Sequence, residues 1–183
     1  MKNLAFLSLL AMLMIVWVSC GEDDNRPAPG QEQADVEMIF SGINVQANYQ
    51  DVTPPTQNKK LTDVLSSTNK NKSQYVNKAE IQYSNTYITV QGEGFNTLKK
   101  ITVKLLDGPS MNASVVYSYD INLNSSDSDG INDSTNPCLI FLNNIANYLA
   151  TKKTMYVQVT LNAGNQDING LKVTLHTTAI FSW

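Results

Sequence analysis

The stretch Leu171–Trp183 reads LKVTLHTTAIFSW. Leu171, Val173, Leu175, Thr177, Ala179, Phe181 and Trp183 alternate with Lys172, Thr174, His176, Thr178, Ile180 and Ser182. Successive side chains of a strand point to opposite faces, so a period of two over so long a run specifies a strand with one face toward a core. The same texture recurs upstream. Met155, Val157, Val159 and Leu161 alternate with Tyr156, Gln158 and Thr160. Val115, Tyr117, Tyr119, Ile121 and Leu123 form another row, and Ile101, Val103 and Leu105 a further one that ends at the turn Asp107-Gly108-Pro109. Ile88 and Val90 precede Gly92-Glu93-Gly94, and Ala79, Ile81 and Tyr83 share a face. Val36, Met38 and Phe40 point one way. Ile43, Val45, Ala47 and Tyr49 resume the alternation after a phase slip at Gly42, where a bulge or bend is expected. About seven strands with turn signals between them predict an all-β fold, a single antiparallel β-sandwich.

Two short helical turns interrupt the strands. Leu61, Val64 and Leu65 lie at i, i+3 and i+4, and Ile145, Tyr148 and Leu149 repeat that spacing. Pro137–Leu142, PCLIFL, admits two readings. Cys138, Phe141, Leu142 and Ile145 fit one helical face, with Asn136 as cap and Pro137 at the first position. The run also fits a short buried strand, and a strand leading into a short helix is the expectation taken.

The other informative end is VWVSCGEDDN, residues 16–25. Lys2 precedes an apolar run from Leu4 to Val18, broken only by Ser8. About fifteen residues at ~1.5 Å each fall short of a ~30 Å hydrocarbon core, as in a secretory signal rather than a membrane span. Cys20 directly after the small Ser19 resembles the bacterial lipobox, in which the thiol is alkylated with diacylglycerol and becomes the first mature residue. Trp17 stands where that motif usually has an aliphatic. The acids Glu22, Asp23 and Asp24 resemble the export tag that sends lipoproteins of Bacteroidetes to the outer face of the outer membrane; a plain acidic linker on a periplasm-facing lipoprotein is the alternative. Asn25–Asp35, with two prolines and a glycine, reads as a flexible tether. The expected organisation is a signal peptide over 1–19, a lipidated cysteine, tag and tether over 20–35, and the sandwich over 36–183.

Charge and composition narrow the function. Residues 1–19 hold one base and no acid, leaving twelve basic against sixteen acidic residues, a net charge near −4. Arg26 is the one arginine and no basic run occurs, so nucleic acid is not an expected partner. With Cys20 as lipid site, Cys138 is expected as a small core residue. The sequence YITVQGEGFNTLKKITVKLLDG, then NNIANYLATKKTMYVQVTLNAG, then LKVTLHTTAIFSW, behind a lipid cysteine and acidic tag, resembles small uncharacterised outer-membrane lipoproteins of Bacteroidetes. That likeness implies an immunoglobulin-like sandwich in the cell envelope and no known activity.

Catalytic chemistry has little to stand on. His176 is the one histidine, and the alternation turns it away from Leu175 and Phe181. Zinc sites of the usual types then lack ligands, and no G-x-S-x-G occurs. Gly92-Glu93-Gly94 is a strand-ending turn with no helix after it. The expectation is no enzyme and no cofactor, apart from a weak calcium reading of NSSDSDGINDSTN, residues 124–136. There Asp127, Asp129 and Asp133 with Gly130 resemble part of a calcium loop, but Asn136 stands where a bidentate glutamate belongs, so affinity would be about millimolar. A solvated turn is the alternative. Asp133-Ser134-Thr135 resembles the short O-glycosylation motif of Bacteroidetes, with Ser134 as acceptor. Tyr49, Tyr75, Tyr87 and Tyr156 lie off the clear core faces, where aromatics can stack on sugars or anchor a partner. The functional expectation is a lipid-anchored, non-catalytic surface binding or adhesion module with an unknown protein or glycan ligand. The alternative is a structural or accessory subunit of an envelope or fimbria-like assembly.

Overall fold

The C-terminal alternation forms the centre of one sheet. In a computed structural model that describes residues 29–123, 128–129 and 136–183, strand β8 (Ile168–Ser182) lies between β1 (Gln31–Val45) and β3 (Lys78–Gln91), antiparallel to both. Leu171, Val173, Leu175, Thr177, Ala179 and Phe181 are all buried, as the period of two requires. Thr174 and Thr178 on the opposite face are buried too, because neighbouring strands flank them on both sides. The second sheet holds β2 (Gln57–Lys60), β7 (Thr154–Asn162), β4 (Lys100–Leu106) and β5 (Val115–Asp120) in that order. A two-residue β6 (Ser128–Asp129) closes the first sheet beside β3. The antiparallel all-β sandwich read from the alternation is the observed fold, with seven strands of four residues or more besides β6.

The pairing has a simple logic. β1 pairs β8, β2 pairs β7, β3 pairs β6 and β4 pairs β5, all antiparallel. The chain is thus one doubled ribbon wrapped into two sheets, the connectivity of a jelly roll. In the immunoglobulin arrangement the first two strands neighbour each other in one sheet; here β1 and β2 lie in different sheets. The immunoglobulin-like likeness therefore holds for the two-layer architecture and not for strand order.

Between the layers the core includes Val36, Met38 and Phe40 of β1, Ile101 and Val103 of β4, Val157 and Val159 of β7 and Phe181 of β8. Each such side chain contributes about 1.5–3 kcal/mol of burial. The slip at Gly42 is present: β1 and β8 shift register between Phe40 and Ile43, and Gly42 has φ of 68°, the left-handed region open to a residue without Cβ.

Three expectations are corrected. The tether does not run to Asp35, because Gln31–Asp35 pairs with Thr178–Ser182 as the first part of β1. Gly30 and Trp183 exchange both backbone hydrogen bonds at 3.0 Å, extending the ladder by one more pair. Residues 79–83 and 88–90 are not separate strands but the two halves of β3. Pro137–Leu142 is not a strand. It opens α2 (Pro137–Lys152), a single helix of 16 residues that absorbs the short turn expected at Ile145–Leu149. The cause is the cap: Asn136 Oδ1 accepts the Cys138 N–H at 2.8 Å, and Pro137 occupies a position whose N–H would have no helical partner. Cys138, Leu139, Leu142, Ile145, Ala146, Leu149 and Ala150 are buried along it, an apolar stripe too continuous for a strand of six. Helix α1 (Leu61–Val64) is the other expected turn.

Candidate functional site: a polar cleft between α2 and β3

The irregularity in β3 lies beside a polar concavity. Ile81 faces Ala179 and Thr86 faces Thr177, so Gln82–Asn85 stands opposite Thr178 alone. Three extra residues must leave the ladder, a large bulge. Thr86 holds it shut: its Oγ1 donates to the Gln82 carbonyl at 2.8 Å and lies 2.9 Å from Thr177 Oγ1, which donates in turn. Gln82 Nε2 donates to Gln33 Oε1 on β1 at 2.9 Å. The bulge leaves Tyr83 exposed.

Helix α2 forms the facing wall with Asn143 and Asn147, one turn apart. Asn147 Oδ1 accepts the Ala79 N–H at 3.1 Å, while its Nδ2 donates to the Asn143 carbonyl at 3.1 Å and to Asn143 Oδ1 at 3.3 Å. Lys78, Glu80, Ile81 and Tyr83 complete a cleft of ≈ 410 Å³. Lys78 and Glu80 form an ion pair at its rim. With Asn147 tied to Ala79 and Asn143, the Asn143 amide, the Tyr83 ring and the Lys78–Glu80 pair are the groups that face the cleft, and they suit a ligand with several hydroxyl or amide groups. Glu80 is the single carboxylate lining the cleft, and the Lys78 ammonium pairs with it.

His176 lies elsewhere, on the outer face of the first sheet as the alternation required. Its cross-strand neighbours are Glu37 and Tyr87. The Tyr87 ring stacks on the imidazole with centroids 4.9 Å apart, leaving the histidine side chain 16 % exposed. Nδ1 is 3.9 Å from Glu37 Oε1 and Nε2 is 4.0 Å from Asp35 Oδ1, both too long for hydrogen bonds. Asp35 Oδ1 instead accepts from Thr178 Oγ1 at 2.6 Å. The row is a stacked, laterally packed surface.

The other residues singled out from sequence are dispersed. Tyr49 is 69 % exposed on the loop after β1, and Tyr75 and Tyr156 are half-buried. Tyr87 is committed to His176. Cys138, in the first turn of α2, is buried in the core. Cys20, Glu22, Asp23, Asp24, Asp127, Asp133 and Ser134 lie outside the described residues, and of Asp129 the structure gives the backbone pairing with Ile88. Among the described residues no three histidine, cysteine or acidic side chains gather as a metal site, and no helix is long and apolar enough to cross a membrane. Sequence reading missed the cleft. The available signal was the polar run Gln82-Tyr83-Ser84-Asn85 inside a strand pattern, together with two asparagines four residues apart.

No family model matches the chain, and no curated protein matches it. Among solved structures, a chain titled Desmodium yellow mottle tymovirus aligns over 85 % of this chain and 89 % of its own, with 10 % identity and a TM-score of 0.24.

Proposed function

We propose that this chain is a lipid-anchored protein of the cell envelope whose sandwich serves as a non-catalytic binding module. The observation that carries this reading is the pinned exit of the chain. Gly30 is held to Trp183 by two backbone hydrogen bonds, so the segment that leads back to Cys20 leaves the domain at one defined point. Residues 21–30 extend at most about 35 Å at ~3.5 Å per residue, which keeps the domain close to an acylated Cys20. Two or three acyl chains would make that attachment stable. The α2–β3 cleft supports binding rather than turnover, with a hydroxyl-rich glycan or a polar peptide as its ligand class. The outer membrane, with the domain facing the cell surface, is the location that the acids Glu22, Asp23 and Asp24 favour.

Metabolic labelling with a tagged palmitate tests the anchor. Label in the parent chain and none in Cys20→Ala is the expected result; equal label in both overturns it. Protease shaving of intact against lysed cells, probed on β8, tests the face. Loss from intact cells supports surface exposure, and loss after lysis alone moves the domain to the periplasm.

A second reading, a subunit of an envelope assembly, is favoured by the edge strand β5. Val115, Val116 and Tyr117 are exposed there, and β5 pairs on one side with β4. Such an edge can accept a strand from another chain. Concentration-dependent oligomers that vanish in Val116→Lys would support it.

A further inference from the structure

The end of the sandwich from which the chain leaves toward Cys20 is basic, although the protein as a whole is acidic. Strand register brings Gln31, Ser182 and Lys78 side by side at this end. The Leu61 N–H donates to the Lys153 carbonyl at 2.8 Å, and Lys153 Nζ donates to the Val76 carbonyl, which draws in the β2–α1 junction and the end of α2. Lys72 Nζ sits 4.9 Å over the Trp183 ring. Some of these cations are occupied. Lys153 points inward, its pKa lowered by burial, and Lys78 is bound by Glu80. Lys60, Lys70 and Lys152 stay exposed, with Lys72 half-buried against the tryptophan. The nearby Glu32 carboxylate, which accepts from Ser66 and Asn69, keeps its charge and with Asp63 of α1 opposes Lys60, Lys70, Lys72 and Lys152, two acids against four bases.

We propose that this lysine face docks on the anionic, phosphate-bearing headgroups of the leaflet that holds the lipid, so that the domain stands in a fixed orientation on its anchor. The inference rests on the anchored reading above. Two independent observations choose the occupant. Lysine charge at this end complements anionic headgroups, each lysine near such a surface being worth about fivefold in partition. Ten residues separate Cys20 from β1, a reach of at most about 35 Å, which keeps this face near the membrane. Half-buried Trp183 beside Lys72 adds an aromatic of the kind that settles at headgroup depth.

The test uses the mature chain from residue 20 with Cys20→Ser, so that acyl chains play no part. Co-sedimentation is measured with phosphatidylcholine vesicles with and without phosphatidylglycerol. Binding that needs phosphatidylglycerol, falls with salt, and drops at least tenfold in the Lys60→Gln, Lys70→Gln, Lys152→Gln triple variant is the expected result. Lys99→Gln with Lys172→Gln, beside Asn162 and Gln91 at the opposite end of the strands, should change it less than twofold. Equal binding by the triple variant, or no dependence on phosphatidylglycerol, overturns the proposal. So does binding that emerges only when Glu22, Asp23 and Asp24 are neutralised, since the tag would then be what the lysines hold. Circular dichroism confirms that each variant is folded. Palmitate labelling of Cys20 reads the anchor separately, so failure of one reading is distinguishable from failure of the other.

Discussion

Gly164, in the turn between β7 and β8, tests how tightly the far end of the sandwich is closed. Its carbonyl accepts the Asn48 N–H at 2.8 Å, fastening the loop after β1. An added Cβ would lie 1.7 Å from the Thr97 carbonyl oxygen, 2.7 Å from its carbon and 3.3 Å from Leu98 Cα. The obstacle is backbone, not the tip of a flexible side chain, so relief demands a displacement of more than about 1 Å of a kind that costs about 1–3 kcal/mol in a packed region. Residues 95–98 cannot yield freely. Leu98 is buried, and the Lys99 N–H donates to the Asn162 carbonyl at 3.1 Å. Loss of that bond adds about 1 kcal/mol. Gly164→Ala should therefore destabilise the domain by about 2–4 kcal/mol, a fall in Tm of roughly 4–16 °C for a domain of this size. Gly108→Ala is the control, since its nearest neighbour would be Ala113 Cβ at an ordinary 3.7 Å. Urea unfolding of both variants gives the difference. A Gly164→Ala protein within 0.5 kcal/mol (roughly the scatter of neutral surface changes) of the parent would refute the close backbone contact.

Further outcomes follow from single contacts. Asn147→Ala leaves the Ala79 N–H without its acceptor and should cost about 1–3 kcal/mol in urea unfolding. Asn147→Asp keeps an oxygen there, so an equal loss from both would show that the tie to β3 is not what Asn147 contributes. Glu32→Ala removes the acceptor of the Ser66 N–H, Ser66 hydroxyl and Asn69 amide. It should cost about 1–2 kcal/mol and speed proteolysis between Leu65 and Lys72; unchanged cleavage there would contradict the bracing role. Burial alone would raise the Asp120 pKa, but hydrogen bonds from Lys100 and Thr102 and the charges of Lys100 and Lys104 outweigh it and hold it below the ordinary value. That contribution is present above the unfolded pKa near ~3.9 and is lost as pH falls through the lowered folded value. Because both partners are at least half exposed, Asp120→Asn should cost under about 1 kcal/mol at neutral pH, with the difference from the parent fading in strong acid. A larger loss, or one that persists in acid, would mean that Asp120 acts through packing.

By itself the sequence determined what rests on local periodicity. The alternation in Leu171–Trp183, Met155–Leu161 and Ile101–Leu105 specifies strands with one face inward, because the side-chain period of a strand is two whatever the partner. Gly42 marked its own bulge, since a left-handed φ there needs glycine. The Asn136-Pro137 start of α2 was legible too, but PCLIFL is apolar all through. Only packing of Cys138, Leu142 and Ile145 into the core shows that helical spacing prevailed. Residues 31–35 look like linker because Gln31, Glu32, Gln33 and Asp35 are polar. They are strand because β8 offers a ladder of backbone partners, which hydrophobic pattern does not report. Tertiary structure alone decided the pairing of β1 with β8 and the extrusion of Gln82–Asn85. It also set Asn147 against Ala79 and brought Lys60, Lys70, Lys72 and Lys152 to one end. These depend on contacts between residues far apart in the chain, and loop closure over such separations leaves no periodic trace in the residues that meet.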